Sequence, residues 1–164
     1  MMLIRAPIGA LIAAAVLLAT APSVAQDVSF AAIDEHVATV AIPVNVDVPG
    51  LTRLLVKPAR SEIQKVRAIA WWIASNIRYD HEAHRRGVAQ QKAGVAPVWA
   101  LHLAKPEVVL QSRKSTCMGY AELFVACCES IGIRAKHVSG NTRYSDEGHA
   151  WNAVRIGGRW QLVD

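Results

Sequence analysis

The chain has 164 residues, of which 52% are hydrophobic and 19% charged, with 18 Lys and Arg against 13 Asp and Glu. That length suits one domain, and the composition excludes a disordered chain. Three cysteines are too few for a disulfide scaffold, and no apolar run reaches the ~20 residues of a membrane-spanning helix.

The first 25 residues have the pattern of a secretory signal peptide. One charge, Arg5, precedes an apolar stretch from residue 8 to residue 19. Pro22 ends that stretch, and Ser23 and Ala25 place small residues at the two positions that signal peptidase inspects. A short buried helix is the alternative. We expect cleavage near Ala25 and a secreted or periplasmic protein without a stable membrane anchor.

The positive charge of the mature chain is concentrated in one segment. Without Arg5, 17 Lys and Arg face 13 Asp and Glu, and the whole excess lies between Arg78 and Lys114. Such an excess favours an anionic partner, for instance a cell-wall polymer or a lipid surface; a solvated loop is the alternative. Aromatic residues are not interleaved with these charges, so we expect no nucleic-acid partner.

Residues 26–60 are expected to form a lead-in segment, and residues 61–164 the main domain. Within the lead-in segment we expect a short helix from Ala31 to Val40. The valines between residues 44 and 48 alternate with polar residues, which is typical of a strand.

The clearest helix of the main domain covers Ser61 to Ile77. Ser61 and Gln64 fit a capping box, and apolar residues recur at helical spacing on one face. Trp71 and Trp72 widen this apolar surface, so both are expected to pack in the core.

The next segments give predictions of unequal strength. Gly87 to Leu103 lacks periodicity and is expected to be a loop or insertion, whereas Pro106 suits the first turn of a short helix through Leu110. Cys117 to Ile131 forms the second strong helix, which Ser115 or Thr116 can cap.

Strands are expected after this helix. Ala135 to Ser139 is the first, and a polar loop from Asn141 to Gly148 follows. His149 to Ile156 and Arg159 to Asp164 are joined by Gly157-Gly158, a strong hairpin signal. Helices followed by an antiparallel sheet predict the α+β class.

Cys117 is the candidate nucleophile because it stands at a helix start. Unpaired backbone N–H groups and the helix dipole favour negative charge there, and the nucleophile is the thiolate. Cys128 lies about 16 Å farther along the axis, beyond the roughly 7 Å reach of a disulfide. Cys127 and Cys128 are poor partners for each other within a helix, so we expect both to pack as small apolar groups.

The hairpin brings His149 and Asp164 to the same face of the sheet. A two-residue loop places Asp164 opposite Trp151 and diagonal to His149, roughly 7 Å away. A carboxylate there would fix the tautomer of the imidazole and stabilise its charged form. Asn152 has the opposite orientation and is a poorer third member.

Cys117 as nucleophile, His149 as general base and acid, and Asp164 as the orienting acid form a candidate triad. Asp146 and Glu147 are alternative acids on the neighbouring loop. Because these residue types occur in most chains, the alternative is a packing cysteine, a strand histidine and a terminal aspartate.

Several blocks of this sequence resemble the core of the transglutaminase-like superfamily, in particular its kyphoscoliosis-peptidase-type branch. They occur in the family's order over about residues 61–164: RAIAWWIASNIRYD at 67–80, RKSTCMGYA at 113–121, GI at 132–133, SG at 139–140, HAWNAV at 149–154 and WQLVD at 160–164. The resemblance implies a papain-like fold with the nucleophile helix packed against an antiparallel sheet. It also implies catalytic roles for Cys117, His149 and Asp164.

The resemblance further implies chemistry on amide bonds through an acyl-enzyme, as a protease or an acyltransferase. A peptide or protein substrate is implied, such as a cell-wall peptide, and no metal or organic cofactor. A non-catalytic binding or scaffold module at the cell envelope is the alternative, because such folds also serve in that way.

Two features depart from the family pattern. Ser115 stands where the family usually has glycine, two residues before the nucleophile, and its side chain is expected to narrow the approach to Cys117. The chain also stops at Asp164, where relatives continue. We therefore expect a domain that is truncated at its C-terminus, with a loosely held terminal acid.

Further candidates concern the oxyanion and the pocket. The backbone N–H of Cys117 is a natural oxyanion donor, and Gln111 lies at the spacing of the glutamine donor in papain-like proteases, although a solvated helix end is the alternative. Tyr79 and Trp151 are candidate pocket walls, with core packing as the alternative.

His81, His84 and His102 are candidates for a third function, metal binding. His81 and His84 are three residues apart, which suits one helix face. Since no motif supplies a further ligand, no metal site is predicted.

Overall fold

The computed structural model describes residues 29–143 and 145–164. The predicted signal peptide lies outside these residues. The described elements are α1 (Ala31–Thr39), α2 (Val48–Leu55), α3 (Glu62–Asn76), β1 (Arg78–Tyr79), α4 (His81–Lys92), α5 (Val98–Leu103), α6 (Pro106–Ser112), β2 (Lys114–Ser115), α7 (Cys117–Ser130), β3 (Ala135–Thr142), β4 (Ser145–Ile156) and β5 (Arg159–Val163).

Helix α3 forms as predicted, and its start shows why. The Ser61 hydroxyl accepts a hydrogen bond from the Gln64 backbone N–H at 3.4 Å, while Gln64 Oε1 accepts from the backbone N–H of Arg60 at 2.8 Å. Trp72 is buried in the core. The expectation for Trp71 is wrong, because its ring is exposed and lies beside the guanidinium of Arg67, 5.0 Å from the ring centroid.

The strand expected at residues 44–48 is absent, and a helix, α2, begins there instead. The Asp47 carboxylate caps it by accepting from the Gly50 backbone N–H at 2.7 Å, and Pro49 occupies its first turn. Leu51 and Leu55 are fully buried in the core that α3 and α7 share. The valine alternation was therefore misleading, since the cap and the proline decide the local structure.

The loop expected at residues 87–103 is mostly helical. Asp80 caps α4 by accepting from the Ala83 backbone N–H at 2.9 Å. Ala83 is the buried residue of α4, and each residue of α5 is exposed or half-buried. Helices that bury so little carry no apolar periodicity, which is why the sequence pattern missed them.

The sheet confirms the predicted α+β class, with α7 packed against β3 and β4. The strand order is β3-β4-β5, antiparallel throughout. The predicted hairpin register is confirmed, with Ile156 opposite Arg159 and Asn152 opposite Val163. Gly157 and Gly158 have φ of +56° and +80°, as a tight hairpin turn requires.

The polar loop expected at residues 141–148 is shorter than predicted. Strands β3 and β4 extend into it, so that Asn141 pairs with Gly148, because backbone pairing tolerates polar side chains on an exposed hairpin. Among the residues that the structure describes, no helix has both the length and the apolarity to cross a bilayer.

Candidate active site

Cys117 is the first residue of α7 and is half-buried. Strand β2 leads into it through Thr116, whose extended backbone forms the N-cap without a side-chain hydrogen bond. The first backbone N–H groups of a helix have no partner within the helix, so the Cys117 sulfur lies where negative charge is stabilised.

Ser115 does not narrow the approach to Cys117, contrary to expectation. Its side chain is buried and lines a separate cavity of about 110 Å³ between α5 and β2. A Cβ at Gly119 would lie 2.8 Å from the Ser115 Cβ and closer still to its Oγ. The absence of a side chain at Gly119 therefore leaves space for the Ser115 side chain, which lies away from Cys117.

His149 and Asp164 form the expected contact across β4 and β5. Nε2 of His149 lies 2.9 Å from Oδ1 and 3.1 Å from Oδ2 of Asp164. Because a carboxylate only accepts, Nε2 carries the hydrogen and Nδ1 is left as the acceptor nitrogen. Glu147, an alternative acid, instead pairs with His84 at 3.5 Å, and the side chain of Asp146 lies outside the described part of the chain.

Trp151 supports the imidazole from one side. The two rings stack with centroids 5.8 Å apart and an interplanar angle of 27°. A Cβ at Gly140 would lie 2.8 Å from the Trp151 ring. The glycine in β3 thus permits the position of the tryptophan that flanks His149.

One cavity of about 280 Å³ unites the candidate residues. Its polar walls are Cys117, His149, Asp164, Tyr79, Tyr120 and Asn152. Its apolar walls include Ala70, Ile73, Ala74, Phe124, Trp151 and Val163. The structure therefore brings five of the six predicted site residues to one place.

Tyr79 reaches the cavity through a pairing that the sequence did not reveal. Strands β1 and β2 pair in parallel, with Tyr79 opposite Ser115, two residues before Cys117. Burial and the neighbouring Cys117 raise the pKa of Tyr79 to about 12, and its hydroxyl interacts with the thiol of Cys117. Two-residue strands carry no periodicity, so only the family resemblance could have suggested this contact.

Gln111 is the predicted residue that the structure leaves elsewhere. It is exposed on α6 and lines a different cavity, beside residues 42–48. The chain turns between α6 and β2 at Arg113, which has a left-handed φ of 54°. The six residues from Gln111 to Cys117 therefore include the end of α6 and a change of chain direction, and Gln111 does not reach the cavity of Cys117.

The three candidate metal-ligating histidines do not converge. His81 and His84 pack against the Tyr79 ring, with centroids 5.0 and 5.8 Å away, and His102 is exposed on α5. Within residues 29–143 and 145–164, no group of three or more His, Cys, Asp or Glu is placed to hold a metal ion.

The remaining cysteines pack in the core, and Asn152 links α7 to the sheet. Cys127 and Cys128 are fully buried, and burial raises their pKa values to about 11 and about 12. Asn152, which the sequence analysis did not assign to packing, is buried and donates from Nδ2 to the carbonyl of Ala121 at 3.0 Å. Its inward position in β4 was the available signal.

Sequence comparisons identify the family. The family profile of the Transglutaminase-like superfamily matches residues 49–164. The chain is 38% identical over 128 residues to the kyphoscoliosis peptidase of Mus musculus, which covers 70% of this chain and 18% of that protein. It is 37% identical over 120 residues to the Homo sapiens protein, which covers 67% and 16%. The chain thus spans less than a fifth of these relatives.

Solved structures share the fold at low sequence identity. A transglutaminase (TGase) structure aligns with a TM-score of 0.53 at 19% identity, over 87% of this chain and 34% of the other. A "putative cysteine protease" from Cytophaga hutchinsonii aligns with a TM-score of 0.51 at 21% identity, over 79% and 41%. With its fold, its cavity and the matched profile, the chain belongs to the transglutaminase-like superfamily.

Proposed function

We propose that this chain is a thiol enzyme that acts on amide bonds as a cysteine protease or acyltransferase. In this proposal Cys117 is the nucleophile, His149 the general base and acid, and Asp164 the acid that orients His149. The observation that carries the proposal is the His149–Asp164 hydrogen bond at 2.9 Å, on the wall of the cavity that Cys117 also lines. A carboxylate on Nε2 keeps Nδ1 available as a proton acceptor.

The reaction begins when Nδ1 of His149 takes the thiol proton and Sγ of Cys117 attacks the carbonyl carbon of the amide. A carbon–sulfur bond forms, and the carbonyl π electrons move to the oxygen. When the intermediate collapses, the carbon–nitrogen bond breaks and the proton on Nδ1 goes to the leaving amine. A thioester then remains on Cys117.

The second half of the reaction resolves the thioester. Water or a second amine gives a proton to His149 and attacks the thioester carbonyl, which releases an acid or a new amide. The thiolate takes the proton back, and Cys117 is restored. Asp164 stays ionised throughout and stabilises the imidazolium.

Two donors serve the oxyanion in this proposal. The first is the backbone N–H of Cys117, which has no acceptor within the helix. The second is the hydroxyl of Tyr79. With a pKa of about 12 it remains protonated at neutral pH and can donate. Tyr79 takes the place that the sequence analysis gave to Gln111.

The proposal extends to substrate and location. The apolar walls at Ile73, Phe124 and Val163 suit a small apolar group beside the scissile amide of a peptide or protein, including cell-wall peptides.

The leader pattern in the first 25 residues supports export and cleavage near Ala25. N-terminal sequencing of the exported protein should begin at Gln26, and an uncleaved Met1 would contradict this.

The test of the chemistry is the pH dependence of alkylation by iodoacetamide, followed residue by residue by mass spectrometry. We expect rapid labelling of Cys117 at about pH 6 in the native chain, and only above about pH 8 in His149→Ala. His102→Ala, which removes an exposed histidine on α5, is the matched control. Labelling of native Cys117 only above about pH 8 would contradict the proposal and favour a non-catalytic module.

A further inference from the structure

We propose that the end of α4, the turn after it and α5 form a surface that binds the interface of an anionic lipid bilayer. This α4–α5 surface has Val95, Val98 and Leu101 at its centre, with Arg86, Lys92 and Lys105 around them. It lies apart from the cavity of Cys117 and is independent of the chemistry proposed there.

The centre of the surface is exposed and apolar. Val95, Val98 and Leu101 are 52%, 68% and 61% exposed. Val98 and Leu101 are three residues apart on a helix, so their side chains are neighbours on one face. Single exposed aliphatic residues are ordinary, whereas a patch of them in a short segment indicates an interaction surface.

The contacts of Trp99 with α4 orient the Val98 and Leu101 face of α5 towards solvent. Its Nε1 donates to Gln90 Oε1 at 2.6 Å, and the Arg86 guanidinium lies 3.6 Å from its ring centroid. Both partners belong to α4. Because Trp99 is held against α4, Val98 and Leu101 are held in solvent.

The charges that the segment itself carries have one sign, and the Asp80 carboxylate beside α5 is paired with Lys114. Residues 83–106 contain four Lys and Arg and no Asp or Glu. Lys92 and Lys105 are exposed, and neither makes an ion pair with any residue that the structure describes. Lys114, by contrast, pairs with Asp80 at 3.1 Å. Glu147, which lines a cavity with Lys92, is itself paired with His84.

Cations around an apolar centre match a bilayer interface better than the other occupants. Lipid headgroups attract the cations, and the acyl boundary accepts the aliphatic side chains. A second copy of this chain would bring two basic surfaces together, which is unfavourable. An acidic polymer would use the lysines and leave Val98 and Leu101 in water.

The test is co-sedimentation with phosphatidylcholine vesicles, with and without about 30% phosphatidylglycerol. The chain from Gln26 is used beside the full chain, because the apolar residues 8–19 can bind lipid by themselves. The chain from Gln26 contains every described helix and strand, and circular dichroism checks that it folds. We expect binding to the anionic vesicles that falls at least about tenfold without phosphatidylglycerol, and likewise in about 0.5 M salt.

Two double variants separate the contributions. Lys92→Gln with Lys105→Gln should weaken binding about 30-fold, and Val98→Ser with Leu101→Ser about tenfold. Their controls are Lys57→Gln with Arg134→Gln, which removes two positive charges, and Val44→Ser with Leu162→Ser, which removes one valine and one leucine. All four residues are exposed at other positions, and both controls should bind like the native chain.

Three results would overturn the proposal. The first is equal vesicle binding by the variants and their controls. The second is binding that depends on the lysines and not on Val98 and Leu101, which would indicate an acidic polymer. The third is a concentration-dependent dimer in gel filtration that the Val98 and Leu101 changes abolish, which would assign the surface to self-association.

Discussion

The two ends of α7 place the same side chain in opposite environments. Cys117, at the first residue, is half-buried and lines a cavity with His149. Cys127 and Cys128, about 15 Å farther along the axis, are fully buried, and burial raises their pKa values to about 11 and about 12.

This difference shows that position on the helix decides the environment of a cysteine side chain. The helix N-terminus offers backbone N–H groups and access to solvent, so a thiolate can be stabilised there. The interior offers neither, and its thiols stay protonated and act as small apolar groups. In the proposed reaction, one helix thus supplies the nucleophile at one end and packing groups at the other.

The largest expected effect is the loss of amide chemistry in Cys117→Ala. Removal of the nucleophile should lower turnover by at least about 10³-fold. The assay incubates the native chain or the variant with a mixed peptide set and follows cleaved and amine-joined products by mass spectrometry. Cys127→Ala is the control at the other end of α7 and should keep its turnover per folded molecule. Unchanged turnover in Cys117→Ala would remove Cys117 from the reaction.

A second variant disturbs only the packing beneath Cys117. Gly119→Ala should lower the free energy of unfolding by about 1–3 kcal/mol, because the new Cβ overlaps the Ser115 side chain. Adding Ser115→Gly should restore part of the loss, since Val109 remains close. Urea unfolding measures both. If the double variant is no more stable than Gly119→Ala, Ser115 is not the obstacle.

At the other end of α7, Cys128→Ser should also destabilise the fold, by about 1–2 kcal/mol, because it places a hydroxyl in an apolar interior. Cys117→Ser should change the unfolding free energy by less than about 0.5 kcal/mol, since Cys117 is half-buried. Equal urea midpoints for the two serine variants would mean that their environments do not differ as described.

The smallest effect concerns pH and the strands that lead to Cys117. The backbone N–H of Ala83, and then Lys114, lower the pKa of Asp80 below 3.8 in the folded chain. A lowered folded-state pKa adds stability above the unfolded value, and that stability is lost as the pH falls through the folded value. Asp80→Asn should therefore cost about 0.5 kcal/mol at pH 7. Urea midpoints at pH 7 and in acid check this, and a difference that persists unchanged in acid would contradict it.

The sequence was informative where one local rule acts alone. The Gly157-Gly158 turn allows positive φ at both positions, so it set the register that joins His149 to Asp164. The apolar face and the start of α7 likewise follow from nearby residues, so the sequence was enough to place Cys117 at the first residue of this helix. The family resemblance added the roles that these positions suggest.

Other features depend on contacts that no local pattern carries. The β1–β2 pairing, which brings Tyr79 to Cys117, joins segments 36 residues apart in register. None of the residues of helix α5 is buried, so its sequence has no apolar periodicity from which a helix could be predicted. The alternating valines predicted a strand where helix α2 begins, although the residue that caps this helix, Asp47, could be read from the sequence.

The most direct test of the central claim is to trap the acyl group on its sulfur. The native chain is incubated with an activated ester of a small apolar amino acid, quenched in acid, digested and analysed by mass spectrometry. We predict an acyl mass on the peptide that contains Cys117, removed by hydroxylamine, and a much slower adduct in His149→Ala. An adduct that forms equally fast in His149→Ala, or one found at Cys127 or Cys128 in the folded chain, would contradict it.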